Sequence, residues 1–286
     1  MDLRLTGELQ RILRVWLSRK VVALGTIVIL ILVLTALFAP WLAPYDPFKT
    51  NLREALRSPS SAHLLGTDAL GRDILSRVIY GSRTSLEVGV IAVGLAAISG
   101  MLLGLCAGYF GGWLERGIMR VIDAQMAFPP IILALSLAFV LGGGLFNCMI
   151  AVGVAMLPSY VRLTRAQVLS VKETDYVLSA RIIGSSNARI IFRHILPNVF
   201  PPLIVLMTIN LGGAIMSEAS LSFLGVGIKP PGAAWGSMLQ EGYQNLFTHP
   251  YMSFAPGICI LLVVLGFNLM GDGLRDALDP RLRGAL

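Results

Sequence analysis

Long apolar runs without a charged residue constrain this chain more than any other feature of its sequence. Two of them, Val21 to Trp41 and Val88 to Phe110, contain no charged side chain. At about 1.5 Å of rise per residue, each run is long enough for a helix to cross a hydrocarbon core of about 30 Å. Lipid offers backbone groups no hydrogen-bond partner, and a barrel would show short alternating strands, so the crossing segments are predicted to be helices.

Six membrane spans can be drawn in this way. The run from Ala124 to Val161 is too long for one crossing, which needs about 20 residues, and Gly142 to Gly144 divide it into spans three and four. Span five starts near Val199 and ends at about Leu224, and span six lies between about Tyr251 and Gly271. The predicted fold class is an all-α polytopic membrane protein with six transmembrane helices.

Two patterns inside the spans predict local geometry. Pro129 and Pro130 interrupt the backbone hydrogen bonds of span three, so a kink is expected there. Gly100, Gly104 and Gly108 recur every four residues in span two, which places small residues on one helix face and allows a neighbouring helix to approach closely.

The distribution of Lys and Arg predicts the orientation of the spans. Most of the 23 basic residues lie before span one, near Arg116 and Arg120, in the loop 162–200, and after span six. The positive-inside rule places these regions and both termini in the cytoplasm. The net charge of +7 is thus explained by topology, and no nucleic-acid partner is predicted. Asp123, near the membrane edge, is expected to pair with Arg120 or Arg116.

The boundaries of these regions give the expected organisation of the chain. The basic N-terminus and apolar run superficially suggest a signal peptide, but the run is about twice as long as a typical h-region and is interpreted as an uncleaved span. The expected parts are a cytoplasmic lead-in (1–20), a first transmembrane helix (21–41), an extracytoplasmic loop (42–85), a five-helix core (86–271) with a cytoplasmic loop (162–200), and a cytoplasmic tail (272–286).

A polar segment, Glu173 to Asn198, separates the apolar runs and predicts two short helices. Thr174 is a candidate N-cap for a first helix that continues through Ile183. Gly184 can end this helix because glycine adopts positive φ without a Cβ penalty. The polar segment is therefore expected to have a joint at Gly184.

The second helix of the polar segment is predicted to be basic. Ser185 or Ser186 can cap its start. Arg189 and Arg193 then fall four residues apart on one face, and Pro197 is expected to end the helix.

The spacing of Ala180, Gly184 and Leu196-Pro197 resembles the cytoplasmic EAA loop of bacterial ABC-importer permeases, which binds the ATPase subunit. The acidic residue of that motif falls here on Leu178. The resemblance implies that the ATPase-coupling residues are Ala180, Gly184, Ser185, Arg189, Arg193, His194, Leu196 and Pro197. The alternative is an ordinary amphipathic connector between two spans.

Three further strings resemble the second permease subunit of dipeptide, oligopeptide, glutathione and nickel importers: Leu65 to Leu86, Ser217 to Gly236, and Gly266 to Gly284. In the first, Asp73 to Tyr80 has helical periodicity and is expected to be a surface helix at the outer gate or a loop packed over the span ends. Gly66 and Gly71 have the spacing of a phosphate loop, but Arg72 and Asp73 replace the residues that contact phosphate and Mg²⁺. ATP binding is not predicted there.

This resemblance implies a type I ABC importer permease in a bacterial inner membrane, which works by alternating access. It implies three kinds of partner besides the lipid bilayer and its own substrate: a homologous second permease, two ABC ATPase subunits, and an extracytoplasmic binding protein. ATP and Mg would be bound by the ATPases, with no cofactor in this chain. The expected substrates are di- or oligopeptides or glutathione, with nickel as the alternative.

Polar groups inside span five suggest where a substrate could pass. Glu218 is the strongest candidate for a pathway-facing residue, because a charge within a span is costly unless it has a function or a partner. A structural hydrogen bond is the alternative. Asn210 and Met216 in the same span are further candidates.

The sequence contains no recognisable catalytic or metal-binding constellation. The three histidines lie in three different loops, and the three cysteines lie inside apolar segments without paired spacing. Two other functions remain open: a self-contained secondary transporter or channel, and a membrane scaffold or sensor. The first commonly uses ionisable groups near the midplane or inverted repeats, whereas the spans of this sequence are nearly free of charge and show no evident internal repeat.

Overall fold

The computed structural model of the protein describes residues 19–228 and 231–278. Most of the predicted lead-in (1–20) and of the tail (272–286) lies outside these residues. In the described part, β pairing is limited to an isolated bridge between Thr67 and Asp73, and the all-α prediction is confirmed. The helices are α1 (Lys20–Leu37), α2 (Ala39–Leu42), α3 (Ile74–Phe110), α4 (Gly112–Met126), α5 (Pro130–Val140), α6 (Leu145–Val171), α7 (Asp175–Ile182), α8 (Asn187–Ile190), α9 (Leu196–Phe223), α10 (Trp235–Tyr243) and α11 (Tyr251–Leu278).

Five helices in the described residues are long and apolar enough to cross a membrane. They are α1, α3, α6, the continuous helix Asn187–Phe223 that includes α8 and α9, and α11. A sixth crossing results when α4 and α5, which meet at an angle of 93°, are counted as one bent span. The predicted six spans therefore correspond to five continuous helices and one broken span.

The bend between α4 and α5 falls at the two prolines, as predicted. Pro129 has φ −55° and ψ 130°, and Pro130 begins α5. A residue before proline avoids the helical region because of a steric clash, so the helix cannot continue through this point. Gly142, Gly143 and Gly144 all have positive φ and separate α5 from α6 at the predicted division.

The second span begins earlier than the sequence suggested. Helix α3 starts at Ile74, inside the expected extracytoplasmic loop (42–85). The carboxylate of Asp73 caps this helix by accepting a hydrogen bond from the backbone N–H of Ser76 at 2.8 Å. The helix expected at Asp73 to Tyr80 thus exists, but as the first turns of α3. A span predicted from hydropathy ends at charged residues, whereas the helix continues through them.

The glycine face of α3 packs against α6, as predicted. A β-carbon placed on Gly108 would lie 2.8 Å from the Cβ of Val168, and one on Gly100 or Gly104 would lie closer still to α6. Glycine at these positions lets the two helix backbones approach more closely than any side chain would permit. This contact holds α3 and α6 together.

Helix α8 continues through a π-helical turn, Ile191–Ile195, into α9. This corrects two expectations, that Pro197 ends the second helix of the polar segment and that span five starts near Val199. Pro197 lies in the first turn of α9 instead. The preceding π-helical turn already departs from ordinary i to i−4 bonding, so proline removes fewer regular hydrogen bonds here than in a helix interior.

The helix ends lie on two sides of the molecule. The polar segment marks one side, where Tyr109 at the end of α3 contacts Asn187 at the start of α8. On the far side, the N–H of Gly144 before α6 donates to the carbonyl oxygen of Val226 after α9 at 3.2 Å. Helix α11 returns from the far side. Its last turn forms an ion pair between Asp276 and Arg19, so the start of α1 is also on the polar-segment side.

Candidate functional site

Helix α7 packs one face onto the helical core and leaves the other face exposed. Val177 is fully buried and Ala180 is nearly so. Thr174 occupies the predicted N-cap position, although its hydroxyl donates to the carbonyl oxygen of Val171 at 2.6 Å instead of capping the helix. The apolar face of α7 fixes the polar segment to the ends of the spans.

A Schellman motif joins α7 to α8. Gly184 has φ +78°, as the sequence predicted, and its N–H donates to the carbonyl oxygen of Arg181 at 3.1 Å. The N–H of Ser185 donates to the carbonyl oxygen of Ala180 at 3.0 Å. These two bonds satisfy the last carbonyls of α7 and require a left-handed residue at Gly184. Three of the predicted coupling residues therefore form one turn.

The start of α8 is capped by Ser186 and not by Ser185. The hydroxyl of Ser186 accepts a hydrogen bond from the backbone N–H of Arg189 at 3.4 Å. The side chains of Arg189 and Arg193 are exposed on α8 and the π-helical turn, while Ile190 and Ile195 are fully buried on the opposite face. The two arginines are thus available to a partner.

The exposed face of the polar segment also carries large apolar side chains that the sequence reasoning did not single out. Ile182 is 85% exposed, Ile183 is 79% exposed and Phe192 is 65% exposed. The sequence indicated their exposure only through their position, because they do not lie on the helix face that contains Val177 and Ala180. Apolar side chains of this size on a charged surface mark an interaction site.

The remaining predicted coupling residues lie in or beside the π-helical turn. His194 is half-buried, and its ring centroid lies 6.3 Å from that of Tyr176 on α7. Leu196 packs partly against the core, and Pro197 is exposed. These residues connect the exposed face to the start of α9.

The three residues predicted to face a pathway do not converge. Glu218 is fully buried, and its carboxylate oxygen Oε1 accepts a hydrogen bond from Ser222 at 2.6 Å. Asn210 donates to the hydroxyl oxygen of Tyr160 at 3.1 Å. Met216 is exposed and borders an apolar cleft between α9 and α11. The burial of Glu218 favours the structural interpretation of that residue.

Ion pairs hold α4 against α6 on the polar-segment side. Asp123 pairs with Arg162, at 2.6 Å between Oδ1 and Nη2, and not with Arg116 or Arg120 as expected. Glu115 pairs with Arg165, whose Nε lies 2.6 Å from Oε1. The sequence could not identify these partners because they belong to a helix that is distant along the chain.

An ion cluster of Asp68, Arg72, Arg77 and Glu241 joins three parts of the far side. Arg72 bonds Asp68 at 2.6 Å and Glu241 at 2.8 Å. Arg77 lies 3.4 Å from Asp68 and 3.6 Å from Glu241. Both guanidinium groups are buried, so the two carboxylates balance charges that water does not reach. The cluster attaches the loop before α3 and α3 itself to α10.

No group of three His, Cys, Asp or Glu side chains suitable for a metal ion occurs within residues 19–228 and 231–278.

Comparison with family models places most of the chain in known sequence families. Residues 100–284 match the model described as binding-protein-dependent transport system inner membrane component. Residues 8–59 match the N-terminal transmembrane domain of oligopeptide transport permease C.

Individual relatives match over nearly the whole chain. The chain is 45% identical over 266 residues to the dipeptide transport system permease protein DppC of Alkalihalophilus pseudofirmus, covering 93% of this chain and 88% of the relative. It is 42% identical over 271 residues to the glutathione transport system permease protein GsiD of Pectobacterium atrosepticum, covering 94% and 90%.

A solved structure shares the fold. A chain from an inward-facing crystal form of the MetNI methionine ABC transporter superimposes with a TM-score of 0.58 at 18% identity, covering 72% of this chain and 98% of that chain. At this identity the likeness concerns the fold, which is that of ABC transporter permeases.

Proposed function

The chain belongs to the family of binding-protein-dependent transport system inner membrane components, and from this premise we propose that it moves peptides inward across a bacterial inner membrane. In this proposal it is the non-catalytic permease subunit of an ATP-driven importer and works by alternating access. Its partners are a homologous second permease, two ATPase subunits and an extracytoplasmic binding protein. The polar segment and both termini are cytoplasmic.

The observation that carries this proposal is the exposed face of the polar segment. Ile182, Ile183 and Phe192 expose apolar surface beside the cations of Arg189 and Arg193. An ATPase groove with an apolar floor and acidic rim would bury the former and pair with the latter. Burying one such apolar side chain stabilises a complex by roughly 1.5 to 3 kcal/mol.

The continuity of α8 with α9 supplies a route from docking to transport. A movement of the docked face is carried into a membrane-crossing helix without passing through a flexible loop. The π-helical turn lies between the two parts, and such turns inside α-helices are frequent at functional sites. Closure of the ATPases would thereby tilt or bend α9 and change access to the pathway.

The names of the relatives support peptides, including glutathione, as the substrate class. The dipeptide and glutathione permeases match this chain at similar identity, so the proposal covers both. Since the binding protein delivers the substrate, we expect it to contribute most of the discrimination among peptides.

Reconstitution tests the proposal. The chain, its second permease, the ATPases and the binding protein are placed in proteoliposomes, and uptake of labelled dipeptide, glutathione and Ni²⁺ is measured. We expect peptide or glutathione uptake that requires both ATP and the binding protein. Uptake of Ni²⁺ alone would contradict the peptide assignment, and uptake by vesicles that contain only this chain would identify a self-contained transporter instead.

A further inference from the structure

Tyr109 contacts both helices of the polar segment, α7 and α8. It lies at the end of α3, where only 9% of its surface is exposed. Its hydroxyl donates to Oδ1 of Asn187 on α8 at 2.8 Å. On the other side of the Gly184 turn, the guanidinium carbon of Arg181 on α7 lies 5.9 Å from the centroid of the tyrosine ring.

The joint between α7 and α8 needs such a contact. Helix α8 continues into α9, whereas α7 is joined to α8 along the chain by the turn at Gly184 and, beside it, by the contact of Tyr176 with His194. A β-carbon on Gly184 would have no neighbour within 4 Å, so nothing packs against that side of the turn itself. A side chain that holds α7 through Arg181 and α8 through Asn187 can restrain the angle between the two helices.

The same contact connects the polar segment to a second span. Tyr109 belongs to α3, and the backbone carbonyl of its neighbour Gly108 accepts a hydrogen bond from Lys172 at the end of α6, at 3.1 Å. Helix α3 is in turn fixed to α6 along its glycine face. A movement of the polar segment at Tyr109 therefore reaches α3 and α6 as well as α9.

We propose that Tyr109 is a positioning residue for energy coupling: it fixes the two helices of the polar segment relative to each other and transmits their movement to α3. This inference rests on the proposed function as an ATPase-driven permease. It assigns to Tyr109 no contact with ATPase or substrate. Its role is to keep the docked surface and α3 moving together.

The test separates coupling from packing. Tyr109→Phe keeps the ring over which Arg181 lies and removes only the hydroxyl, and Asn187→Ala removes the acceptor from the other side. Tyr251→Phe is the matched control, because the hydroxyl of Tyr251 donates to the carbonyl oxygen of Arg57 at 3.0 Å on the far side. All variants are studied in the complete complex with its partners in proteoliposomes.

The readouts are peptides imported per ATP hydrolysed and co-purification of the ATPases. We expect Tyr109→Phe and Asn187→Ala each to lower the import ratio several-fold with co-purification unchanged, and the double variant to be no worse than either single one. Tyr251→Phe should keep the wild-type ratio.

Two results would overturn the inference alone. An unchanged import ratio in both Tyr109→Phe and Asn187→Ala, with an assembled complex, would show that the contact does not transmit movement. Loss of ATPase co-purification in Tyr109→Phe would show that the residue supports docking and not coupling. Failure of the wild-type chain to bind ATPases would instead refute the proposed function, and the coupling role with it.

Discussion

Gly184 occupies a backbone conformation that other residues resist, at the position where the two exposed helices of the polar segment meet. Its φ of +78° belongs to the left-handed region, where a β-carbon clashes with the backbone, most severely for β-branched residues. The surroundings leave space for a side chain, so backbone strain is the main cost of a substitution. The geometry of the exposed face of the polar segment thus depends on the conformation of this glycine.

Replacement of Gly184 by Val should weaken ATPase binding more than it lowers overall stability. We expect the backbone strain to cost about 1 to 3 kcal/mol of stability. The turn can relieve this strain by changing the angle between α7 and α8. ATPase co-purification and coupled ATPase activity are the measurements. Gly112→Val is the control, because Gly112 also has positive φ and open surroundings but lies outside the polar segment. Equal losses in the two variants would contradict this prediction.

Glu218→Gln should leave transport nearly unchanged. Gln has the shape of Glu and still offers an oxygen to the hydroxyl of Ser222, which now donates to Oε1 at 2.6 Å. The other carboxylate oxygen is buried without a hydrogen-bond partner, so loss of the charge removes no further interaction. Uptake kinetics and expression are the readouts, and a several-fold change in KM would show that Glu218 reaches the substrate.

At the scale of helices, the contact between α3 and α6 depends on the absence of side chains. Gly100, Gly104 and Gly108 bring the backbones together, and in lipid such close packing replaces the hydrophobic effect as a source of association. The polar segment lies at the end of this pair, so its position depends on how closely the two helices approach.

Gly104→Leu should therefore destabilise the protein strongly. The new side chain would meet Thr164 and the carbonyl oxygen of Val161, the latter at 2.7 Å from its first carbon. Overpacking typically costs about 1 to 3 kcal/mol, and backbone neighbours cannot move aside easily. Gly94→Leu on the same helix has no neighbour within 4 Å and serves as the control. Thermal unfolding in detergent should separate the two variants, and equal midpoints would exclude a glycine-dependent contact.

At the scale of the whole molecule, the ion cluster unites regions that are distant in sequence. Asp68 and Arg72 belong to the loop before α3, Arg77 to α3 and Glu241 to α10. Two buried cations meet two carboxylates, so each of the four groups contributes to holding these regions together, beside the apolar contacts of Trp235 and Met238 with α3 and α11. Within residues 19–228 and 231–278, the ion pairs on the polar-segment side are all partly exposed, such as Glu115 with Arg165.

Glu241→Gln should destabilise the far side, because both guanidinium groups would lose one of two neighbouring carboxylates. Removing one partner from a buried ion pair costs about 3 to 5 kcal/mol, and the partial exposure of Glu241 places this site toward the lower end. Glu54→Gln is the control, since Glu54 is similarly exposed but its guanidinium partner, Arg57, is itself exposed, and another neighbour is the ring of His63 at 3.6 Å. Limited proteolysis of the 42–73 loop and thermal unfolding are the measurements. Equal sensitivity of the two variants would contradict a special role for the cluster.

The sequence predicted what local chemistry determines. Gly142 to Gly144 and Pro129-Pro130 placed the breaks, and Gly184 placed the turn, because positive φ and a missing backbone donor act within a few residues. The same reasoning failed at Pro197, where a π-helical turn accommodates the proline. It also failed to join the helix predicted at Asp73 to Tyr80 to span two, because Arg83 and Glu87 separate that helix from the apolar run.

The partners of charged side chains could not be predicted, because they depend on packing between distant helices. Asp123 pairs with Arg162 across two helices, although two arginines lie closer along the chain. Nothing in the sequence around Glu241 indicated that it belongs to the ion cluster. The contact of Tyr109 with Asn187 was equally invisible, since a tyrosine at the end of a span is ordinarily explained by the membrane interface.

The π-helical turn at Ile191–Ile195 has a consequence for helical phase. Each residue of an α-helix turns the chain by about 100°, whereas a π-helical turn holds an additional residue. Deleting one residue there would restore α-helical geometry and keep Arg189 facing the same way relative to α9. Deleting one residue beyond it, between Val199 and Phe223, would instead rotate the rest of α9 by about 100° relative to the exposed face of the polar segment. Related chains can therefore differ in length at this turn, but not in α9, without losing the alignment of α9 with that face.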